Sequence, residues 1–299
     1  MASSNFHQLR DITLHILQES IALLLRATMI PIIIREVFQK NKVTIILYHR
    51  IPMRLFEKHL QYLLKRYSII SLEEFIKAKT QNNMEKLPVK PIIITFDDGA
   101  KINHMLQKTL KKYSIPVTLF VCSDIIGTNR HFWFSHCGEQ KRDFKKITDA
   151  ERLILLSQAG FDEKKDYDTA EALGEEEIVD LINAGVSIQS HTLTHPILPM
   201  CDDLKAEIEI TKSKLDLEKK FGINVNYFSY PNGDYLLRDI DICKRAGYLA
   251  AITVDLGFNS VDTDVYKLKR ISIYDNSSIN QLIVRTTGIW DFVKRTLKL

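Results

Sequence analysis

The sequence predicts an α/β protein built around a parallel β-sheet, and three stretches carry that expectation. The first is PIIITFDDG, Pro91 to Gly99, where a short apolar and β-branched run ends at a turn signal. That is the pattern of a strand buried on both faces. The second is the order that follows it: a helix from about Ile102 to Tyr113, then Pro116, then a strand-like run from Val117 to Val121. A β-α-β succession of this kind implies parallel strands joined by right-handed crossovers. The third is Val186 to Ser190, another strand-like run, which opens into His191-Thr-Leu-Thr-His195-Pro196.

Length and composition set bounds on the rest. A chain of 299 residues can bury one sizeable core, and an α/β protein of that length can be one domain. Hydrophobic content of 45% with 26% charged residues fits a soluble globular protein. The net charge of +4 is mild, no nucleic-acid motif is present, and no nucleic-acid partner is expected. Cys122, Cys137, Cys201 and Cys243 are widely spaced and form no CxxC pair, which removes zinc-finger and redox readings and fits a reducing compartment.

Taken in order, the chain begins with a helical extension, residues 1–40, ahead of a domain over 41–299. Gln8, Asp11, His15, Gln18, Glu19, Ala22 and Arg26 recur at helical spacing as a narrow polar stripe, and nearly everything between them is apolar. Glu19 and Arg26 interrupt the run short of the roughly 20 apolar residues a bilayer span needs. The weak basic start and the lack of a small-residue cleavage site argue against a signal peptide. Two readings stay open: a helix packed on the barrel or on a second copy, and an interfacial helix touching a membrane. Location on the cytoplasmic side, peripheral to the inner face of the membrane, is the expectation.

Val43 to Tyr48 reads as the first strand, with His49 at its end. Phe56 to Tyr67 reads as an amphipathic helix, and Ser71 with Glu74 forms a capping box. Residues 127–173 are an insertion that opens with the aromatic cluster Arg130 to Phe134; Trp133 there is either a wall for a sugar ring or a cover for an apolar edge. Thr148 and Glu151 form a second capping box. Helices follow over Glu175–Ala184 and Leu204–Phe221, each stopped by glycine. Strands are expected over Asn226–Tyr230, Leu249–Val254 and Leu268–Ile273, with a helix from Asp239 to Arg245. From Ile279 the chain is helical, ending near Trp290, Phe292, Lys294, Arg295 and Lys298.

Chemistry concentrates at the strand ends. Asp97 and Asp98 lie where a buried strand meets a loop, and two adjacent carboxylates there need a cation or a shared proton. An Asx-turn with one solvated Asp is the plainer account. His191 and His195, four apart, fall on one face of a helical turn and can share a metal. One Asp with two His makes three ligands and leaves room for water and substrate, the pattern of a catalytic ion.

TFDDG followed by SHTLTH resembles the polysaccharide deacetylase family, the NodB-homology hydrolases. Phe228-Ser-Tyr-Pro-Asn-Gly233 is similar to that family's FRPPYG segment, and Tyr48-His49-Arg50 to the subgroup acting on cell-surface polysaccharides. The resemblance covers roughly residues 43–275. It implies a distorted (β/α) barrel and a hydrolase that removes an N-acetyl or formyl group from an amino sugar of a cell-surface glycan or its lipid-linked precursor. It implies Asp98, His191 and His195 as ligands of one divalent ion, most readily Zn, and Asp97 as general base. The backbone N–H of Asn232 would help hold the oxyanion, and His49, Tyr230, Pro231 and Trp133 would meet the substrate. Two positions depart from the pattern. Ser229 replaces the Arg that orients the base, and Leu268-Lys269-Arg270 stands where Leu-x-His supplies the general acid; His49 or Asp97 itself would take that role. A barrel that binds glycan without turnover is the other reading. The expected partner is an N-acylated sugar, with membrane contact and a homo-oligomer left open.

Overall fold

The computed structural model describes residues 16–138, 141–291 and 293. Its frame is eight parallel strands: β1 Thr44–Tyr48, β2 Ser68–Ile69, β3 Pro91–Phe96, β4 Val117–Val121, β5 Val186–Ser190, β6 Tyr227–Ser229, β7 Ala250–Ile252 and β8 Ile271–Ser272. They run in the order β7-β6-β5-β4-β3-β1-β8, with β2 beside the start of β3. A parallel bridge from Ile252 to Leu268 brings β7 against the lead-in to β8. The sheet thus curls round on itself as a distorted (β/α) barrel, as expected.

Every residue of β3 is buried, which explains its unbroken apolar reading. Alternate side chains serve different clusters: Ile92, Ile94 and Phe96 pack under the surrounding helices, whereas Ile93 joins Val43, Ile45, Phe120 and Ile252. The period of two places Thr95 and Asp97 on the same side as Ile93, away from the helices.

The helices cover the outer face. They are α1 over 16–27, α2 Ile30–Ile33, α3 Met53–Arg66, α4 Leu72–Thr80, α5 Leu106–Tyr113 and α6 Lys141–Phe144, followed by α7 Asp149–Gln158, α8 Glu175–Asn183, α9 Asp203–Phe221, α10 Leu237–Arg245 and α11 Ile279–Arg285. Both capping boxes form, Ser71 with Glu74 and Thr148 with Glu151. The late strands are shorter than their sequence runs, since pairing ends where the chain turns toward the barrel mouth. All four cysteines are buried and free.

The polar stripe of α1 faces the protein. Glu19 accepts from Ser278 and Asn280, Arg26 donates to Asn280, and Ala22 packs on Val284 and Trp290. Gln8, Asp11, His15, Phe292, Lys294, Arg295 and Lys298 lie outside the described residues.

One buried histidine makes stability acid-sensitive. His59 of α3 is fully buried; Tyr48 donates to its Nδ1 and its Nε2 donates to the Ser277 carbonyl. Burial lowers its pKa from 6.5 to about 4, against a smaller opposing effect of the Ser277 bond. The unfolded chain therefore takes up this proton first. The stabilisation is complete above about pH 6.5 and is lost as pH falls toward 4. His59→Gln should flatten that dependence, by up to about 3 kcal/mol. Urea melts of both proteins across this window check it; parallel curves would exclude His59 as the cause.

Candidate active site

The candidate residues assemble at the carboxyl ends of β1, β3, β5 and β6, with Arg270 reaching in from the lead-in to β8. Asp97 leaves β3 on the inner side. Asp98 and Gly99 then both take the left-handed conformation, φ 73° each. A Cβ on Gly99 would come within 2.8 Å of Val121 Cγ1, so only glycine turns the chain here. This double turn swings the Asp98 carboxylate round to the loop after β5.

That loop is not helical, in contrast to the expectation from the HxxxH spacing. Thr192 and His195 both adopt left-handed backbone, φ 69° and 63°, and curl the segment so that its two imidazoles meet. The Thr192 hydroxyl accepts from His195 N at 3.0 Å. Glu209 of α9, fully buried, accepts from the backbone N–H groups of Leu193 and Thr194 and from the Thr194 hydroxyl at 2.8–3.0 Å. Lys205 pairs with it at 3.1 Å. A carboxylate in the second turn of α9 thus braces the histidine loop, with no local motif in the sequence to mark it.

Asp98 Oδ1 lies 3.7 Å from His191 Nε2 and 3.5 Å from His195 Nε2. One donor atom from each of the three residues falls within 4.8 Å of the others, and all three are buried. Asp98 Oδ1 has no hydrogen-bond partner. His191 Nδ1 donates to the Ser229 carbonyl at 2.7 Å, which turns its Nε2 toward Asp98. Burial, then the neighbouring His191, lowers the pKa of His195 from 6.5 to about 3, so its ring stays neutral. Two imidazole nitrogens and a carboxylate oxygen are the donor set a Zn-like ion takes, and the residues fit such an ion.

Asp97 stands beside this cluster, 3.8 Å from His191 Nε2. Arg270, only 1% exposed, clamps it with two bonds, Nη1 to Oδ1 at 2.9 Å and Nη2 to Oδ2 at 2.8 Å. Ser229 Oγ adds a third contact at 3.1 Å and itself accepts from Arg270 Nη2 at 2.9 Å. Burial by itself would raise the Asp97 carboxyl. The charge of Arg270, then that of His191, and the Arg270 bonds reverse this and hold it well below the usual carboxylate range. An arginine on the Asp97 carboxylate, which position 229 does not supply, is therefore present, delivered from the lead-in to β8. The small serine leaves the room into which the guanidinium fits.

These groups face one cavity of about 330 Å³, lined also by His49, Phe134, Lys145, Asn232 and Ser272. Asn232 is held at φ 55°. A Cβ on Gly233 would sit 2.5 Å from Val254 N, so the turn after β6 requires that glycine. Lys145, from the insertion, donates to Asn232 Oδ1 at 2.5 Å, and Asn232 Nδ2 is buried without a partner. A second pocket, about 610 Å³, shares His49 and Ser272 and continues past Arg50 to Asn276.

The structure thus brings Asp97, Asp98, His191, His195, His49 and Asn232 together. Three expected substrate contacts are corrected. Trp133 is 4% exposed, donates Nε1–H to the His195 carbonyl at 2.7 Å and stacks with Arg152, so it supports the histidine loop; Phe134 takes the cavity wall. Tyr230 is fully buried with its hydroxyl on the Tyr266 carbonyl, and Pro231 is buried in the turn. Both shape the wall from behind.

A family model described as polysaccharide deacetylase matches residues 84–267. YxkH of Bacillus subtilis is 25% identical over 242 residues, 78% of this chain and 71% of that protein. The poly-beta-1,6-N-acetyl-D-glucosamine N-deacetylase of Staphylococcus epidermidis is 29% identical over 223 residues, 73% of this chain and 65% of that one. Among solved structures, the Streptococcus pyogenes deacetylase PplD in complex with acetate superposes with a TM-score of 0.62 at 23% identity, over 82% of this chain and 98% of its own. IcaB from Ammonifex degensii gives 0.61 at 18%, over 82% and 97%.

Proposed function

Because this chain belongs to the polysaccharide deacetylase family, we propose that it is a metal-dependent hydrolase that removes the N-acetyl group from an amino sugar in a cell-envelope glycan or its lipid-linked precursor. The observation that carries the reading is the buried Asp97–Arg270 pair set beside Asp98, whose Oδ1 has no hydrogen-bond partner, and two imidazoles in one cavity. A barrel that only bound glycan would gain nothing from a clamped, permanently charged carboxylate there. The relative that acts on poly-β-1,6-N-acetyl-D-glucosamine supports the choice of acyl group and sugar.

In this reading Asp98, His191 and His195 would hold a divalent ion, most readily Zn, which supplies Lewis acidity toward the acyl carbonyl and an activated water. Asp97, aimed by Arg270, takes the proton from the attacking water. A carboxyl held so far below its usual range keeps that proton only briefly and hands it on. His49, half-buried on the facing wall, is placed to deliver it to the leaving amine. The backbone N–H of Asn232 and its side-chain amide, oriented by Lys145, donate toward the developing oxyanion. Phe134 gives the sugar an apolar wall, and the adjoining pocket has room for the next unit of a chain.

The test is acetate release from an N-acetylglucosamine oligomer, with metal content measured on the same samples. Chelation should abolish release and added zinc should restore it. His195→Ala should lose most of the metal and the activity together. Full metal occupancy in a folded His195→Ala protein would overturn the ligand set, and undiminished hydrolysis after complete metal removal would overturn the mechanism.

A further inference from the structure

We propose that residues 16–38 form a docking surface for an anionic lipid bilayer. The motivating observation is that this segment is amphipathic the wrong way round for a helix that simply completes a core. On a 3.6-residue helix, Ile16, Leu17, Ser20, Leu23, Leu24 and Ala27 share one face of α1, and all six are exposed. That face has no charge. Glu19, Ala22 and Arg26, on the opposite side, are the residues that meet α11 and Trp290.

The surface continues past the helix. The chain kinks at Met29, which is held at φ 62°, and the next turns expose Met29, Ile30, Ile33, Val37 and Phe38. Of the 24 large apolar side chains exposed among the described residues, nine fall within these 23 positions. Elsewhere such side chains are scattered, as on ordinary protein surfaces. Burying this ridge would bring a large gain that the described residues leave unrealised.

Charge selects the occupant. Over residues 16–42 the basic residues are Arg26 and Arg35, which are bonded within the fold, and the exposed Lys40 and Lys42; the acidic ones are only Glu19 and Glu36. Both acids are engaged: Glu19 with α11, and Glu36 with Arg35 and Lys90. Arg35 reaches Tyr62 of α3, whose last turn adds exposed Lys65 and Arg66 to the same region. An apolar ridge rimmed by cations matches anionic headgroups around an acyl interior. Self-association through the ridge would set those cations against each other. No helix of the described residues is long and apolar enough to cross a membrane, so the segment lies along the interface.

The placement has a consequence for the catalytic cavity. Its adjoining pocket ends at Asn276, and Ser278, two residues on, holds Glu19 of α1. A membrane-seated ridge would keep that pocket close to the lipid surface, where a lipid-anchored or surface-bound glycan is presented.

Flotation of the full chain tests the proposal without any activity readout, so its failure is separable from failure of the deacetylase reading. The probes are phosphatidylcholine vesicles with and without phosphatidylserine. The wild type should float with the anionic vesicles, and rising salt should weaken the association. The double variant Leu24→Glu with Ile33→Glu changes two exposed positions and should keep the wild-type melting temperature. Its vesicle affinity should drop by roughly tenfold or more. A wild type that stays with the soluble fraction on both vesicles overturns the proposal. So does equal flotation of the folded double variant. A dimer in sedimentation that the double variant dissolves, with no flotation, assigns the ridge to a second copy instead.

Discussion

Asp97→Asn is expected to keep its metal and to lose roughly 10²–10⁴-fold in turnover, the usual cost of removing a general base. The substitution preserves shape, and its carbonyl can still accept one of the two Arg270 bonds. What it removes is the charge that takes a proton, while Asp98, His191 and His195 keep their places around the ion site. Acetate release, metal content and a thermal melt on one preparation separate the possible causes. Near-normal hydrolysis by a folded, metal-loaded variant would leave the mechanism without its base. Loss of metal along with activity would instead place Asp97 among the ligands.

Arg270→Met should damage both stability and catalysis. The guanidinium is buried, and its removal strands the Asp97 carboxylate in a desolvated site. Breaking a buried pair from one side costs about 3–5 kcal/mol, most of it the penalty of the unpaired charge left behind. Asp97 would then either take up a proton or swing toward solvent, and in both cases it would no longer be aimed as a base. Combining Arg270→Met with Asp97→Asn removes the stranded charge, so the double variant should be more stable than Arg270→Met by itself. Denaturant melts of the two single variants and the double variant decide this. Additive losses would mean that Arg270 acts on stability through other contacts, such as the Thr253 carbonyl it also bonds.

The two positions that depart from the family pattern, Ser229 and Arg270, read in sequence as two losses. In the folded chain Arg270 supplies, from 41 residues away, the arginine that Ser229 lacks, because β6 and the lead-in to β8 converge on the same carboxylate. No local spacing signals that exchange. Nor does local spacing mark Glu209: it sits within α9 among other charged residues, and only the docking of α9 under the histidine loop makes it a brace. Trp133 is left open by the sequence because an aromatic cluster after a glycine looks alike whether it lines a cavity or backs a loop. Its burial and its bond to His195 settle that it backs the loop.

By itself the sequence determined the parallel α/β class, the strand ends that carry chemistry and the grouping of Asp97, Asp98, His191 and His195. These rest on short-range features: apolar runs, turn glycines and residues adjacent to them, whose consequences do not depend on distant chain. Tertiary structure alone decided how the histidine loop curls, which arginine aims the base, which aromatic faces the cavity and which side of the first helix meets the protein. Each of these is a choice between two packings that satisfy the same local pattern. The choice falls to groups far off in sequence, through the cost of leaving a buried charge or polar atom without a partner.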